Sequence, residues 1–205
     1  MIKTVYSSEV YQFMRLRQWS KLKRAIFFYK LKTKITLNPS NSIYTLPTSI
    51  LHFACQFRPP QNVIEYILKA HPESVKIRDS DGRYAIHIAC KYGCDPEVIK
   101  MIIEKNPEAA SKFDSKRRTP LHLVYMDYVF TCQMEWTVAN NMLTEVAGML
   151  ADIAPQIITE EDYKGMTALE YALIEEFDFS SILLLQQAVE KYQKKIRNRD
   201  MRFMI

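Results

Sequence analysis

The chain has 205 residues, 48% of them hydrophobic and 25% charged, with a formal net charge of +5, which is the make-up of a globular chain able to bury a sizeable core. Its longest unbroken apolar runs, such as Ile182 to Leu185, fall far short of the roughly 20 residues a membrane-spanning helix needs. The run Ala25 to Tyr29 is too short for the apolar core of a secretory signal and no small-residue cleavage site follows it, so an intracellular, cytoplasmic protein is the expectation.

From the N-terminus, Ser8 to Leu31 places Val10, Phe13, Met14, Trp19, Leu22, Ile26 and Tyr29 at mostly three-and-four spacing. That spacing predicts one amphipathic helix. Its other face is basic: residues 1–38 carry nine Lys/Arg against the single Glu9, whereas residues 39–189 carry 13 basic and 20 acidic side chains. A helix that covers the end of a stack with a polar outer face accounts for this pattern, and a membrane-surface or transit-peptide helix is the alternative. Leu37 to Pro47, with its Asn, Pro and Ser clusters, is predicted to be a loop.

From Ser49 onward the chain repeats itself. Tyr84-Ala85-Ile86-His87-Ile88-Ala89 recurs 35 residues later as Thr119-Pro120-Leu121-His122-Leu123-Val124 and 35 residues earlier as Ser49-Ile50-Leu51-His52-Phe53-Ala54. A fourth copy, Thr167-Ala168-Leu169-Glu170-Tyr171-Ala172, follows after 48 residues, with 13 extra residues around Tyr128 to Asn141. A fixed period of this length means stacked two-helix units that bury their apolar faces only against one another. The expectation is an all-α solenoid of about four helix-turn-helix units with an N-terminal capping helix and a C-terminal helix. Its parts are a basic helix and linker over 1–47, repeats over 48–190 (about 48–82, 83–117, 118–165 with the insertion near 128–141, and 166–190), and a basic helical extension or tail over 191–205. Gly93 marks the turn between the two helices of one unit, and Arg58-Pro59-Pro60 in its place predicts a less regular turn. Tyr128, Val129, Phe130, Met134, Trp136 and Val138 make the insertion too apolar for a disordered tether, so it is expected to extend the two helices it joins.

The stretches Asp79-Ser80-Asp81-Gly82-Arg83-Tyr84-Ala85-Ile86-His87-Ile88-Ala89 and Asp114-Ser115-Lys116-Arg117-Arg118-Thr119-Pro120-Leu121-His122 resemble the signature of the ankyrin repeat family, in a 35-residue variant. The resemblance covers about Ser49 to Gln187. Departures are the two added residues per repeat, the insertion, Arg117 where glycine is usual and Glu170 where histidine is usual. Thr119 and Pro120 suit the first turn of a helix, and His87 and His122 are expected to tie neighbouring loops through both ring nitrogens.

Cys55 and Cys90 occupy equivalent inner-helix positions where a small apolar side chain fits, and no disulfide framework is expected. His52-x-x-Cys55 and His87-x-x-Cys90 raise the question of a metal. Zinc needs its ligand atoms within about 2.0 to 2.3 Å of one centre, yet helices of neighbouring units stack about 8 to 10 Å apart, so no metal site is expected. The glycines Gly82, Gly93, Gly148 and Gly165 form neither a phosphate-cradling loop nor a nucleophile elbow, and no catalytic residue or cofactor is assigned.

What the resemblance implies is a monomeric, non-catalytic scaffold that grips a partner protein between finger loops and inner helices. The candidate contact residues are Arg83, Tyr92, Lys116, Arg117, Arg118, Met126, Asp127 and Tyr163, because Arg and Tyr are enriched at binding hot spots. Lys116, Arg117 and Arg118, three consecutive cations in one finger, favour an acidic partner. Basic-patch binding to nucleic acid or to an anionic membrane surface is the alternative class, carried by the basic N-terminus and the tail from Lys191 to Arg202.

Overall fold

The computed structural model describes residues 6–29, 49–131 and 135–202. Ten α-helices follow one another among these residues, with no strand: α1 (Tyr6–Arg15), α2 (Trp19–Tyr29), α3 (Ile50–Gln56), α4 (Gln61–Ala70), α5 (Ala85–Lys91), α6 (Pro96–Lys105), α7 (Pro120–Thr131), α8 (Trp136–Ile153), α9 (Ala168–Ile174) and α10 (Phe179–Arg202). Odd-numbered helices pack on their odd neighbours and even-numbered ones on their even neighbours. The chain is therefore a two-layered, all-α solenoid, as its 35-residue period predicts.

The inner helices are short and apolar all round because they are covered on several sides at once. In α5 every residue from Ala85 to Cys90 is buried, and in α3 every residue from Ile50 to Cys55. Ala54, Ala89 and Cys90 keep this layer thin, since small side chains let helices approach closely. The outer helices bury one stripe: Val63, Ile64, Ile67 and Leu68 in α4, and Val98, Ile99, Ile102 and Ile103 in α6. Each buried aliphatic side chain contributes about 1.5–3 kcal/mol, whereas exposed pairs such as Lys69–Glu65 contribute little. Asp95 starts α6 by accepting the Glu97 N–H at 3.0 Å, with Pro96 in the first turn where its missing donor costs nothing.

The N-terminal segment is a hairpin of two helices and not the single helix its periodicity predicts. The chain turns at Arg17, whose φ is 52°, and the Gln18 N–H closes back on the Phe13 carbonyl at 2.7 Å. The turn between α5 and α6 is built the same way, with Gly93 at φ 62° and the Cys94 N–H on the Ala89 carbonyl at 2.9 Å. So α1 and α2 form one more unit of the stack: α1 lies on α3, and α2 on α4. Val10, Met14, Leu22 and Ile26 are buried there, and the Tyr11 ring meets Phe57 edge-on at 5.7 Å. A three-and-four apolar stripe reads alike for one helix or for two antiparallel ones, and an arginine in a left-handed turn gives no local signal for the break. Lys30, Leu31 and the predicted loop Leu37 to Pro47 lie outside the described residues.

Arg58 takes the left-handed conformation of Gly93, at φ 52°. Its turn lacks the closing bond, because Pro59 has no N–H, and the Phe57 N–H bonds the Ala54 carbonyl where the Tyr92 N–H reaches Ile88. In the third unit α7 runs on through Thr131 and α8 begins at Trp136, so the insertion lengthens both helices. Ala139, Asn140 and Leu143 are buried while Val138 is exposed; Met134 and Cys132 lie outside the described residues, and nothing describes the side chains of Tyr128, Val129, Phe130 and Trp136. The basic stretch from Lys191 is the continuation of α10, with no break at the end of the last unit.

Burial pushes the Cys90 thiol up, and the Cys94 thiol beside Cys55, together with burial, does the same to Cys55. The Cys94 S–H donates to the Cys55 carbonyl at 3.3 Å. These thiols are packing groups, since reactivity belongs to the thiolate.

Candidate protein-binding surface

Among the described residues the chain makes three like-built fingers between its units, each centred on an aspartate. Asp79 Oδ1 accepts the N–H of Asp81 and of Arg83, both at 2.9 Å; Asp114 Oδ1 accepts those of Lys116 and Arg118, both at 2.9 Å; Asp162 Oδ1 accepts those of Lys164 and Met166 at 2.7 and 3.2 Å. The second carboxylate oxygen takes a different partner each time: Arg83 Nε at 2.8 Å, Arg118 Nε at 2.8 Å, and the Tyr171 hydroxyl at 2.8 Å. Burial raises the Asp114 carboxyl, but the hydrogen bonds and charge of Arg118 outweigh it and hold the group below its ordinary value.

Neighbouring fingers are stitched by their backbones, Ser115 N–H to Asp81 O at 2.7 Å and Tyr163 N–H to Lys116 O at 3.1 Å. Three buried histidines complete the stitching. His87 Nδ1 accepts the Tyr84 N–H at 3.2 Å, and His122 Nδ1 accepts the Thr119 N–H at 3.1 Å. Nδ1 is therefore unprotonated, so Nε2 carries the proton and donates to the finger of the following unit: His52 to Arg83 O at 2.9 Å, His87 to Lys112 O at 3.0 Å and His122 to Met166 O at 3.1 Å. Burial lowers the affinity of all three rings for a second proton, His87 to about 4, against the weaker opposing pull of the carbonyl bonds. With both ring nitrogens engaged, none is free to ligate a metal. Among the described residues no group of three His, Cys, Asp or Glu side chains is placed to hold one.

The candidate contact residues separate once the fingers are built. Arg118 is 9% exposed and its guanidinium is paired with Asp114 at 2.6 Å, so the expected surface of three consecutive cations is reduced to Lys116 and Arg117. The Asp114 carboxylate of its own finger holds Arg118 in, apart from the cations beside it. Arg83 is likewise half-buried, paired with Asp79 and Asp81, both at 2.8 Å. Lys116 and Tyr163, by contrast, come together: the ammonium groups of Lys116 and Lys164 lie 5.8 and 5.7 Å from the centre of the Tyr163 ring, which is 53% exposed. Arg117, also exposed, lies over the Phe113 ring at 5.2 Å. Phe113 escaped the reading of the sequence, although it is the one aromatic of its finger.

Tyr92 and Met126 are not part of this group. Both are half-buried against the core, Tyr92 just past the end of α5 and Met126 midway along α7, about 10 Å along the helix axis from the fingers. Asp127 belongs to α7, and its side chain is outside the described ones.

Arg117 has φ 55°, whereas the matching residues of the other fingers are Gly82 and Gly165, both at φ 73°. Left-handed backbone costs a residue with a Cβ about 1–2 kcal/mol, and a glycine returns about 0.4–1 kcal/mol of that through unfolded-state entropy. Arg117→Gly is therefore expected to stabilise the fold by about 0.5–1 kcal/mol. Urea titration of the variant measures this; a loss of stability would show that stacking on Phe113 outweighs the strain.

Compared with the curated proteins, the chain matches none. Residues 51–134 match the family model described as ankyrin repeats (3 copies), and that span holds the finger aspartates Asp79 and Asp114 and all three stitching histidines. Over residues 51–134 the stacked units are accordingly those of the ankyrin repeat family.

Proposed function

We propose that the chain is a non-catalytic scaffold for protein–protein interaction, which grips an acidic segment of its partner at the fingers of Asp114 and Asp162. Ankyrin repeats are generally protein–protein interaction modules, and the family is typically non-enzymatic. The observation that carries the finer reading is the pair of lysines flanking the exposed Tyr163 ring, with Arg117 beside them. Among the described residues no carboxylate pairs with Lys116, Lys164 or Arg117. Exposed cations held over aromatic rings are pre-positioned, so a carboxylate-rich segment meets them with little ordering cost.

Partners recovered by proximity labelling supply the ligand for the test. The double variant Lys116→Glu, Lys164→Glu is expected to weaken the partner about tenfold or more, while Lys194→Glu, Lys195→Glu in α10 leaves affinity unchanged. Calorimetric titration reads both. Binding lost only in the α10 variant, with both proteins equally folded, moves the site off the fingers.

A further inference from the structure

The last unit is finished differently from the inner ones. Phe177 N–H closes on the Ala172 carbonyl as Cys94 N–H does on that of Ala89, which sets Leu173 of α9 level with Cys90 of α5. Cys90 is fully buried and Leu173 is 49% exposed. Around the same turn Ile174 is 64% and Phe179 72% exposed, with Leu183 one helical turn beyond Phe179. Glu170, Glu175, Glu176 and Asp178 stand among these apolar side chains, all exposed, and no Lys or Arg occurs between Thr167 and Glu190.

Glu170 also changes the chemistry of the stitch. Each histidine at this position donates an N–H to the next finger's carbonyl. Glu170 instead uses Oε2 to accept the Thr167 N–H at 2.7 Å and the Thr167 hydroxyl at 2.8 Å, and these bonds lower its pKa, so it offers only acceptors. A further finger stacked here would press its carbonyl against a carboxylate. This face is therefore apolar, acidic and unsuited to another repeat of the same kind.

We propose that this end face docks an amphipathic helix of a partner protein, one whose apolar stripe is bordered by Lys or Arg. Helix is the form that fits, because Leu169 with Leu173 and Phe179 with Leu183 each lie four residues apart, the spacing that receives the ridges of a helix. The carboxylates then pair with the bordering cations at the rim. The site is separate from the fingers, and the two prefer partner segments of opposite charge.

The probe is a synthetic helical peptide of about 18 residues with a leucine stripe bordered by lysines, compared with the same stripe bordered by glutamates, followed by fluorescence anisotropy. Saturable binding of the lysine peptide is expected, weakening with salt, about tenfold or more weaker in Ile174→Ser, Phe179→Ser, and unchanged in the finger variant Lys116→Glu, Lys164→Glu. Both serine substitutions lie on the exposed surface, and an unchanged melting temperature checks the fold. The proposal is overturned by no saturable binding, by equal binding of the glutamate peptide, or by indifference to the serine variant. Sedimentation of the protein alone supplies the remaining arm: self-association abolished by the serine variant assigns the face to a second copy and overturns the proposal as well.

Discussion

Lowering the pH from 7 to 4.5 is expected to cost this fold about 2.5 kcal/mol through His87 alone, with further losses of the same sign from His52 and His122. In the folded state the His87 ring resists a second proton down to about pH 4, because it is fully buried and its Nδ1 is already an acceptor. The unfolded chain takes that proton near the ordinary value of about 6.5. Between these values the unfolded state binds more protons, so stability is complete above about pH 7, falls as the pH drops through 6.5, and levels off below about 4. Asp114 and Asp162 do not compensate: both carboxyls are held below their ordinary values, so their stabilisation is present above about 4 and is lost only in stronger acid. Urea titrations at several pH values measure the slope. Nitrogen-15 shifts of the imidazoles test its cause, since His87 must remain the Nε2–H tautomer throughout. A stability curve flat from pH 7 to 4.5, or a His87 ring titrating near 6.5, would falsify the buried stitch.

The second large effect is expected from Asp114→Ala, at about 3–5 kcal/mol. Asp114 has no exposed side-chain surface, and it holds two backbone N–H groups of its own finger together with the Arg118 guanidinium. Removing it strands a nearly buried cation and leaves the Lys116 and Arg118 N–H groups without an acceptor. The double variant Asp114→Ala, Arg118→Met is expected to recover part of the loss, because the uncompensated charge goes with the arginine. Thermal melts of the two single variants and the double decide it. A single variant within about 1 kcal/mol of the parent would mean that water reaches Arg118. The same experiment bears on binding, for Lys116 is presented over Tyr163 by the backbone that Asp114 organises.

By itself the sequence determined the repeat, and with it the fold. The copies of Ile86-His87-Ile88-Ala89, the aliphatic stripes of the outer helices and the aspartates ahead of each finger are local patterns, and each keeps its meaning in any stack because every unit meets the same neighbours. Glu170 was legible as a departure from the pattern. Its consequence was not, for the donor it replaces acts on the next unit.

Tertiary structure alone decided three things. It broke the N-terminal stripe into two helices at Arg17, because α3 and α4 offer two surfaces to cover and a left-handed turn admits an arginine at modest cost. It carried α10 unbroken past the last unit, where composition marks only a change of charge. And it sorted the cations of the fingers. Arg83 and Arg118 stand four residues after an aspartate and are drawn in by it, while Lys116, Arg117 and Lys164 are left outside over aromatic rings. The fold of each finger decides which side chain the second oxygen of its aspartate takes and which cations stay outside, and a chain written in one dimension does not carry that geometry.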